Sequence, residues 1–193
     1  MNTQGTNTLL RLVTAFGAAG FIMAGAIEAR APQAAQERTF PIPLSLLEEH
    51  AELHTALETA SRLPGDTGTA ARKVLAIITP HFQQEQRRVF PLLRVLPMLA
   101  AGQVEPGMAD LLPVADRLRA DFDVYLREHL DLAGALDELS PAAWRENHEE
   151  CAFLAERIRR HDRMDREVLY PAAQLAGECL RQRFPPTATA SLR

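Results

Sequence analysis

The chain has 193 residues, of which 47% are apolar and 24% are charged, and its formal net charge at pH 7 is −4. This length predicts one domain with room for a short appendage, and the composition is that of a globular protein with a buried core. The small negative charge and the lack of a basic run in the sequence argue against nucleic acid as a partner.

The N-terminal segment, residues 1–31, differs from the rest of the chain. Residues 9–27 carry a single charged side chain, Arg11, and are rich in Ala and Gly. This run is short for a membrane span, which needs about 20 apolar residues. It suits the apolar region of a signal peptide, and residues 29–31 (Ala-Arg-Ala) offer a small-x-small cleavage site. We therefore expect an exported, periplasmic protein. The alternatives are an uncleaved membrane anchor and a cytoplasmic protein with an apolar N-terminal helix.

A linker and two helices are predicted next. Residues 32–43 are rich in Pro, Gln and Ala and are typical of a linker. Ser45, followed three positions later by Glu48, predicts a capping box that opens the first helix, and Leu63-Pro64-Gly65 predicts its end. The second helix is predicted over about residues 69–90, with Pro80 inside it as a kink or a late start.

Two further helices are predicted in the second half of the chain. The third is expected over about residues 108–139, and Ser140-Pro141 predicts the N-cap and first residue of a fourth helix, which ends near residue 170. The predicted inward stripe of the third helix is Leu118, Phe122, Tyr125, Leu126, His129, Leu132 and Leu136. The fourth helix carries a seam at four- and three-residue steps: Leu154, Ile158, His161, Asp165 and Val168. These patterns predict an all-α fold, an up-down four-helix bundle over residues 44–183, with a tail at 184–193.

The second half of the predicted bundle repeats the first. Glu49-His50 recurs 79 positions later as Glu128-His129, and His81, Glu85 and Phe90-Pro91 recur 80 positions later as His161, Asp165 and Tyr170-Pro171. Residues four apart on a helix are neighbours on its surface, so each of these His-x3-carboxylate motifs forms a side-by-side pair. One such pair is usually solvated, whereas two copies on core-facing stripes indicate a shared site.

The repeat predicts a metal site in the bundle core. A carboxylate on an apolar stripe is costly to bury unless it is paired or bound to a metal. Imidazole together with carboxylate favours iron, manganese or zinc over calcium or magnesium. The predicted metal ligands are His50, His81, Glu85, His129, His161 and Asp165.

Two other residues could belong to the site, and a third histidine is expected outside it. His54 lies one turn after His50 and is a candidate seventh ligand, but its counterpart in the repeat is Ala133, so a core or rim histidine is an equal alternative. Tyr125 is either a core residue or a hydrogen-bond partner of a ligand. His148 lies thirteen residues before His161 and is expected at the surface.

These motifs resemble the hemerythrin-like, or HHE cation-binding, family over about residues 44–171. The resemblance is carried by LLEEHAELHTAL, HFQQEQRRVFP, LREHLDLAGAL and HDRMDREVLYP. It implies a non-haem di-iron site, two iron ions per chain, with the two carboxylates bridging the metals. The implied ligands are His50, His81, Glu85, His129, His161 and Asp165. One iron, manganese or zinc is the alternative.

The chain departs from the oxygen-carrying members at two places. Those proteins have a His-x3-His pair on the third helix, where this chain has only His129, and four residues between the His and carboxylate of the last helix, where this chain has three. Fewer histidines leave more open coordination positions, or a single-metal site.

Three functions follow from these features. The first is a binding protein that takes up oxygen or a related small ligand, such as nitric oxide or peroxide, for sensing, storage or handling. The second is a di-iron enzyme that turns over peroxide, nitric oxide or oxygen; the sequence alone does not decide whether the protein is an enzyme. The third is a metal-free helical interaction module. An iron-sulfur repair role is a further possibility, but we expect it less because the sequence has no counterpart of the Cys-bearing N-terminal module of the di-iron repair proteins.

Overall fold

The computed structural model describes residues 41–185, and within this range the chain is helical apart from short connections. The predicted all-α fold class is thus confirmed for the described part. The predicted signal peptide, residues 32–40 of the predicted linker and residues 186–193 of the tail lie outside the described residues. Among the described helices, none is both long enough and apolar enough to cross a membrane.

The helices follow one another closely along the chain. Four of them are longer than the rest: α1 (Leu44–Ser61), α2 (Gly65–Arg88), α6 (Phe122–Arg145) and α7 (Glu149–Met164). Between α2 and α6 lie α3 (Phe90–Leu93), α4 (Leu96–Ala100), a 3-10 helix (Pro106–Leu111) and α5 (Leu112–Ala120). A π-helical segment (Asp165–Leu169) joins α7 to α8 (Tyr170–Arg183).

The four long helices pack around a common interior. α1 contacts α2, α2 contacts α6, α6 contacts α7, and α7 contacts α1. The shorter α5 packs on α8, and α3 also contacts α8. The described residues therefore form a helical bundle extended at one end by shorter helices.

Two apolar clusters fill the interior, and along α1 and α6 a buried histidine separates residues of one cluster from residues of the other. On α1, His50 separates the partly buried Leu46 and Leu47 from Leu53. On α6, His129 separates Tyr125 of one cluster from Leu132 of the other. Burying a side chain such as Leu132, which is 1% exposed, contributes about 1.5–3 kcal/mol. A buried polar layer opposes folding unless its atoms find partners.

The predicted capping box at the start of the first helix is wrong. α1 begins at Leu44, with Pro43 as the residue before it and no side-chain cap hydrogen bond. Pro43 has φ −52°, close to the helical value that its ring imposes, and its carbonyl accepts the Leu46 N–H at 3.1 Å. Ser45 therefore lies inside the first turn and cannot act as its N-cap.

The second helix begins earlier than predicted because a distant residue caps it. The Glu146 carboxylate accepts the backbone N–H groups of Asp66 and Thr67 at 2.8 and 2.9 Å. Helix N-termini have unpaired N–H groups, and a carboxylate there is favourable. This contact joins the start of α2 to the end of α6, and lets α2 begin at Gly65.

The predicted boundary at Ser140-Pro141 is also wrong, because both residues lie inside α6. The helix ends at Arg145, where Asn147 has φ 59° and the His148 N–H donates to the Ala143 carbonyl at 2.9 Å. This is the Schellman arrangement, in which Asn tolerates the left-handed conformation. The buried neighbouring alanines of α6 explain why it continues past Pro141.

Two further expectations about the helices are wrong. The predicted third helix is not continuous, because it breaks at Asp121, where α5, packed on α8, gives way to α6, packed on α2 and α7. Leu126 is 38% exposed and Val168 is 49% exposed, although the sequence pattern predicts both on inward stripes. Leu126 lies beside the inward-facing Tyr125, and Val168 is displaced by the π-helical segment.

Candidate metal centre

Six of the predicted ligands meet inside the bundle in two groups. The His50 group consists of His50, Glu85 and His161, and the His129 group consists of His81, His129 and Asp165. Within each group, the nitrogen and oxygen atoms that could bind a metal lie within 4.8 Å of one another. All six residues are buried, with at most 3% of their surface exposed.

The two groups are related by the sequence repeat. α1 supplies His50 and α6 supplies its counterpart His129. α2 supplies His81 and Glu85, and α7 with the π-helical segment supplies their counterparts His161 and Asp165. Exchanging the two halves of the repeat therefore converts the His50 group into the His129 group.

The carboxylates connect the two groups. Glu85 Oε2 lies 3.2 Å from Nε2 of His50, and its Oε1 lies 3.5 Å from Nε2 of His81 in the other group. Asp165, a member of the His129 group, has Oδ2 at 3.2 Å from Nε2 of His161 in the His50 group. Each carboxylate therefore lies next to histidines of both groups, the position from which it could bridge two cations.

Eight buried polar atoms of these residues have no hydrogen-bond partner within residues 41–185. They are His50 Nδ1 and Nε2, His81 Nε2, Glu85 Oε2, His129 Nε2, His161 Nε2, and Asp165 Oδ1 and Oδ2. Leaving one buried polar atom unsatisfied costs about 1–3 kcal/mol. Because the atoms are imidazole nitrogens and carboxylate oxygens, they fit a divalent transition metal such as iron, manganese or zinc.

Three of the four histidines have a carboxylate from outside the two groups next to their Nδ1 atom. The Nδ1–H of His129 donates to Asp162 at 2.5 Å, and that of His81 donates to Glu128 at 3.1 Å. The Nδ1 atom of His161 lies 3.5 Å from Glu49. A carboxylate at Nδ1 places the proton there and leaves the Nε2 lone pair free for a metal.

His50 has a different neighbour. Its ring stacks on Phe82, with the ring centroids 3.8 Å apart and the planes at 10°. Its Nδ1 atom has no hydrogen-bond partner among the described residues. A groove of about 310 Å3 between α1 and α2 is lined in part by His50 and Phe82, together with His54 and Thr79.

A buried tyrosine contacts the site directly. Tyr170, which is fully buried, donates its hydroxyl to Glu85 Oε1 at 2.8 Å. Burial, followed by the negative charge of Glu85, raises the pKa of Tyr170, so the phenol stays protonated. Tyr125 lies in the core against Tyr170, with ring centroids 5.5 Å apart, and forms no hydrogen bond to a candidate ligand among the described residues.

The ionisable groups compensate one another only in part. Burial lowers the pKa of His81, but the hydrogen bond to Glu128 and the charge of Glu85 outweigh it, so the net pKa is raised. Burial raises the pKa of Asp165 well above its usual value, and the charge of Glu85 raises it further. Both shifts favour the protonated forms of His81 and Asp165. A bound cation would favour the deprotonated forms, because metal ligands must be deprotonated.

The structure does not bring His54 into either group. Its Nε2 lies 3.0 Å from the hydroxyl of Thr79 and its Nδ1 lies 3.6 Å from Glu58, and the side chain is 32% exposed. His148 precedes α7, away from the two groups, with Nδ1 at 3.7 Å from Glu150. Of the two alternatives left open for His54, the rim histidine fits these contacts.

Sequence reasoning missed the residues that support the ligands. Glu49 and Glu128 belong to the Glu-His repeat, and that repeat was the signal for their role. Tyr170 belongs to the repeated aromatic-Pro pair. Asp162 had no such signal, because the residue 80 positions before it is Phe82.

Comparisons with protein-family models, with curated proteins and with solved structures gave no match for this chain. The structure by itself shows a helical bundle with a buried cluster of histidines and carboxylates that could hold metal ions.

Proposed function

We propose that this chain is a hemerythrin-like protein, an up-down four-helix bundle that holds two non-haem iron ions and binds oxygen or a related small ligand such as nitric oxide or peroxide. The observation that carries the proposal is the convergence of six buried histidines and carboxylates in two groups, whose eight buried nitrogen and oxygen atoms have no hydrogen-bond partner within residues 41–185. The motif resemblance to the hemerythrin-like family points to the same metal.

The donor set supports iron. Each group offers two histidines and one carboxylate, the set that non-haem iron(II) sites use with open coordination positions. Iron held in this way would supply an open position at which a small ligand can bind. Manganese, zinc or a single iron ion are outcomes that metal analysis distinguishes.

The surrounding residues suit binding of a small molecule away from bulk water. The ligands lie between two apolar clusters and are almost fully buried. The groove between α1 and α2 reaches His50, and its lining includes the apolar Leu47, Ala51 and Phe82. A ligand of a few atoms could approach the His50 group along this groove.

Metal content and a visible spectrum test the proposal. The full chain would be reconstituted anaerobically with iron(II), desalted and analysed for bound metal. We expect two iron ions per chain, and fewer in His81→Leu and His161→Leu variants of confirmed helicity. The matched control is His148→Gln, which removes a histidine away from the site. Exposure to oxygen should give a visible absorption band that disappears when oxygen is removed. Failure of the wild-type chain to retain any metal would overturn the proposal.

One observation favours the enzymatic alternative. The buried phenol of Tyr170 donates a hydrogen bond to Glu85 and thus places a hydrogen-bond donor beside a candidate ligand. An enzyme that turns over peroxide, nitric oxide or oxygen could use such a donor to stabilise developing negative charge. Catalytic loss of hydrogen peroxide by the iron-loaded chain, slowed in Tyr170→Phe, would favour this alternative over reversible binding.

A further inference from the structure

The two halves of the sequence repeat differ at two positions that contact the site. At both positions the first half has phenylalanine and the second half has a polar residue. Phe82 corresponds to Asp162, and Phe90 corresponds to Tyr170, each 80 positions later. The structure places these pairs equivalently. Phe82 stacks on His50, whereas Asp162 accepts a hydrogen bond from His129.

We propose that the two metal positions are inequivalent and that the His129 group holds its metal more tightly. The reason is that Asp162 acts as a positioning residue for His129. This inference rests on the proposed function. A carboxylate that accepts the Nδ1–H of a ligand histidine fixes its ring and makes Nε2 a stronger donor. Loss of such an outer partner typically costs about 10-fold to 100-fold in metal affinity. Phe82 offers His50 no acceptor.

The carboxylates that contact His81 and His161 also favour tighter metal binding by the His129 group. In the His129 group, the Nδ1–H of His81 donates to Glu128 at 3.1 Å, and Glu128 is 25% exposed. In the His50 group, the equivalent contact joins His161 to Glu49 at 3.5 Å, and Glu49 is 44% exposed. The longer and more solvated contact gives His161 the weaker outer partner.

Asp162 is itself held in place. Arg166 donates to Asp162 Oδ2 from Nε at 3.2 Å and from a terminal nitrogen at 2.8 Å, which leaves Oδ1 for His129. These contacts make the His129 group the stronger donor set.

Titration of the metal-free full chain with cobalt(II) tests this inference. Its visible absorption, followed at increasing cobalt, should show two binding steps whose dissociation constants differ by about 10-fold to 100-fold. His50→Gln should keep the tighter step, and His129→Gln should keep only the weaker one.

Asp162→Asn tests the positioning role. It should weaken the tighter step about 10-fold and leave the weaker step unchanged. The matched control is Asp137→Asn, because Asp137 also pairs with an arginine, Arg159 at 2.9 Å, but is 73% exposed. This control should bind cobalt as the wild type does.

The outcomes separate this inference from the proposed function. Two cobalt ions bound with equal affinity, or loss of the tighter step in His50→Gln, would overturn the inequivalence and leave a two-metal site. An Asp162→Asn variant with unchanged affinities would overturn the role of Asp162. No cobalt binding by the wild-type chain would overturn the proposed function, and this inference with it.

Discussion

Removal of metal should destabilise the fold by an amount that can be calculated. A ligand that binds only the folded state adds about 2.7 kcal/mol to the free energy of unfolding when its free concentration is 100 times Kd. With free metal at 100 times the Kd of the weaker of two sites, the two together would add at least about 5 kcal/mol. For a domain of this size, 1 kcal/mol corresponds to about 2–4 °C in Tm, so the loaded protein should melt about 10–20 °C above the metal-free one.

The physical source of this shift is the set of unpartnered atoms in the polar layer. Within the described range, the Nε2 atoms of all four ligand histidines have no hydrogen-bond partner in the protein. A cation would engage them in the folded state only, because unfolding separates the four helices that carry them.

Thermal unfolding followed by circular dichroism measures the shift. The chain would be treated with a chelator, divided, and melted with and without added cobalt(II) or, anaerobically, iron(II). The near-isosteric double variant Glu85→Gln/Asp165→Asn removes both carboxylates and should lose most of the metal-dependent shift. His148→Gln should retain it.

One set of results would refute this reasoning. Equal melting temperatures with and without metal would mean that no cation is linked to folding. If Glu85→Leu/His161→Leu were also more stable than the wild type, the buried polar layer would only lower the free energy of unfolding. The third hypothesis, a metal-free interaction module, would then account for the fold better.

Three further predictions concern single residues. Tyr170→Phe removes a hydrogen bond to the buried carboxylate Glu85 and should lower the free energy of unfolding by about 1.5–3 kcal/mol in urea titrations of the metal-free chain. Glu146→Gln should lower the urea midpoint at pH 7. Hydrogen bonds from Thr67 and from the Asp66 N–H at the start of α2 lower the pKa of Glu146 to about 2. The contribution of the carboxylate to stability is therefore present above pH 4.5 and is lost as the pH falls towards 2. His54→Gln should leave the number of bound metal ions unchanged, as measured by elemental analysis.

Each of these predictions has an outcome that contradicts it. Unchanged stability in Tyr170→Phe would mean that the phenol contributes no net hydrogen bond to the fold. A difference between wild type and Glu146→Gln that persists at pH 2 would show that packing, and not the carboxylate charge, is responsible. Loss of one metal ion in His54→Gln would make His54 a ligand after all.

The helical fold and the convergence of the six candidate ligands could be predicted from the sequence because both depend on helical spacing. A histidine and a carboxylate four positions apart lie on one face wherever the helix begins, so errors in the helix ends do not move them apart. The same logic gave His54 as a candidate, since it lies four residues after His50. Its contacts with Thr79 and Glu58 depend on how α1 packs against α2, which spacing alone does not specify.

The helix ends could not be predicted because they depend on tertiary contacts. Ser45 and Ser140 both have the local pattern of an N-cap, yet both lie inside helices. The start of α2 is capped by Glu146, which is about 80 positions away in the sequence. Local capping signals are weaker than such contacts, and helix boundaries are the least reliable part of a sequence-based prediction.

The irregular helix after Asp165 follows from a spacing that a regular helix cannot accommodate. In both halves an aromatic residue follows the carboxylate by five positions: Phe90 follows Glu85, and Tyr170 follows Asp165. At about 100° per residue, five positions would turn the aromatic side chain about 140° away from the carboxylate. The first half resolves this by a break between α2 and α3, and the second by the π-helical segment.

Both the break after α2 and the π-helical segment place the aromatic ring next to the ring of a ligand histidine. Phe90 lies 4.9 Å from the ring of His50, and Tyr170 lies 5.3 Å from the ring of His129. A π-helical turn contains one more residue than an α-helical one, and such turns are frequent at functional sites. The extra residue moves Val168 out of the seam, and it lets Asp165 and Tyr170 both face the interior. The error in the predicted seam and the hydrogen bond from Tyr170 to Glu85 therefore have the same physical cause.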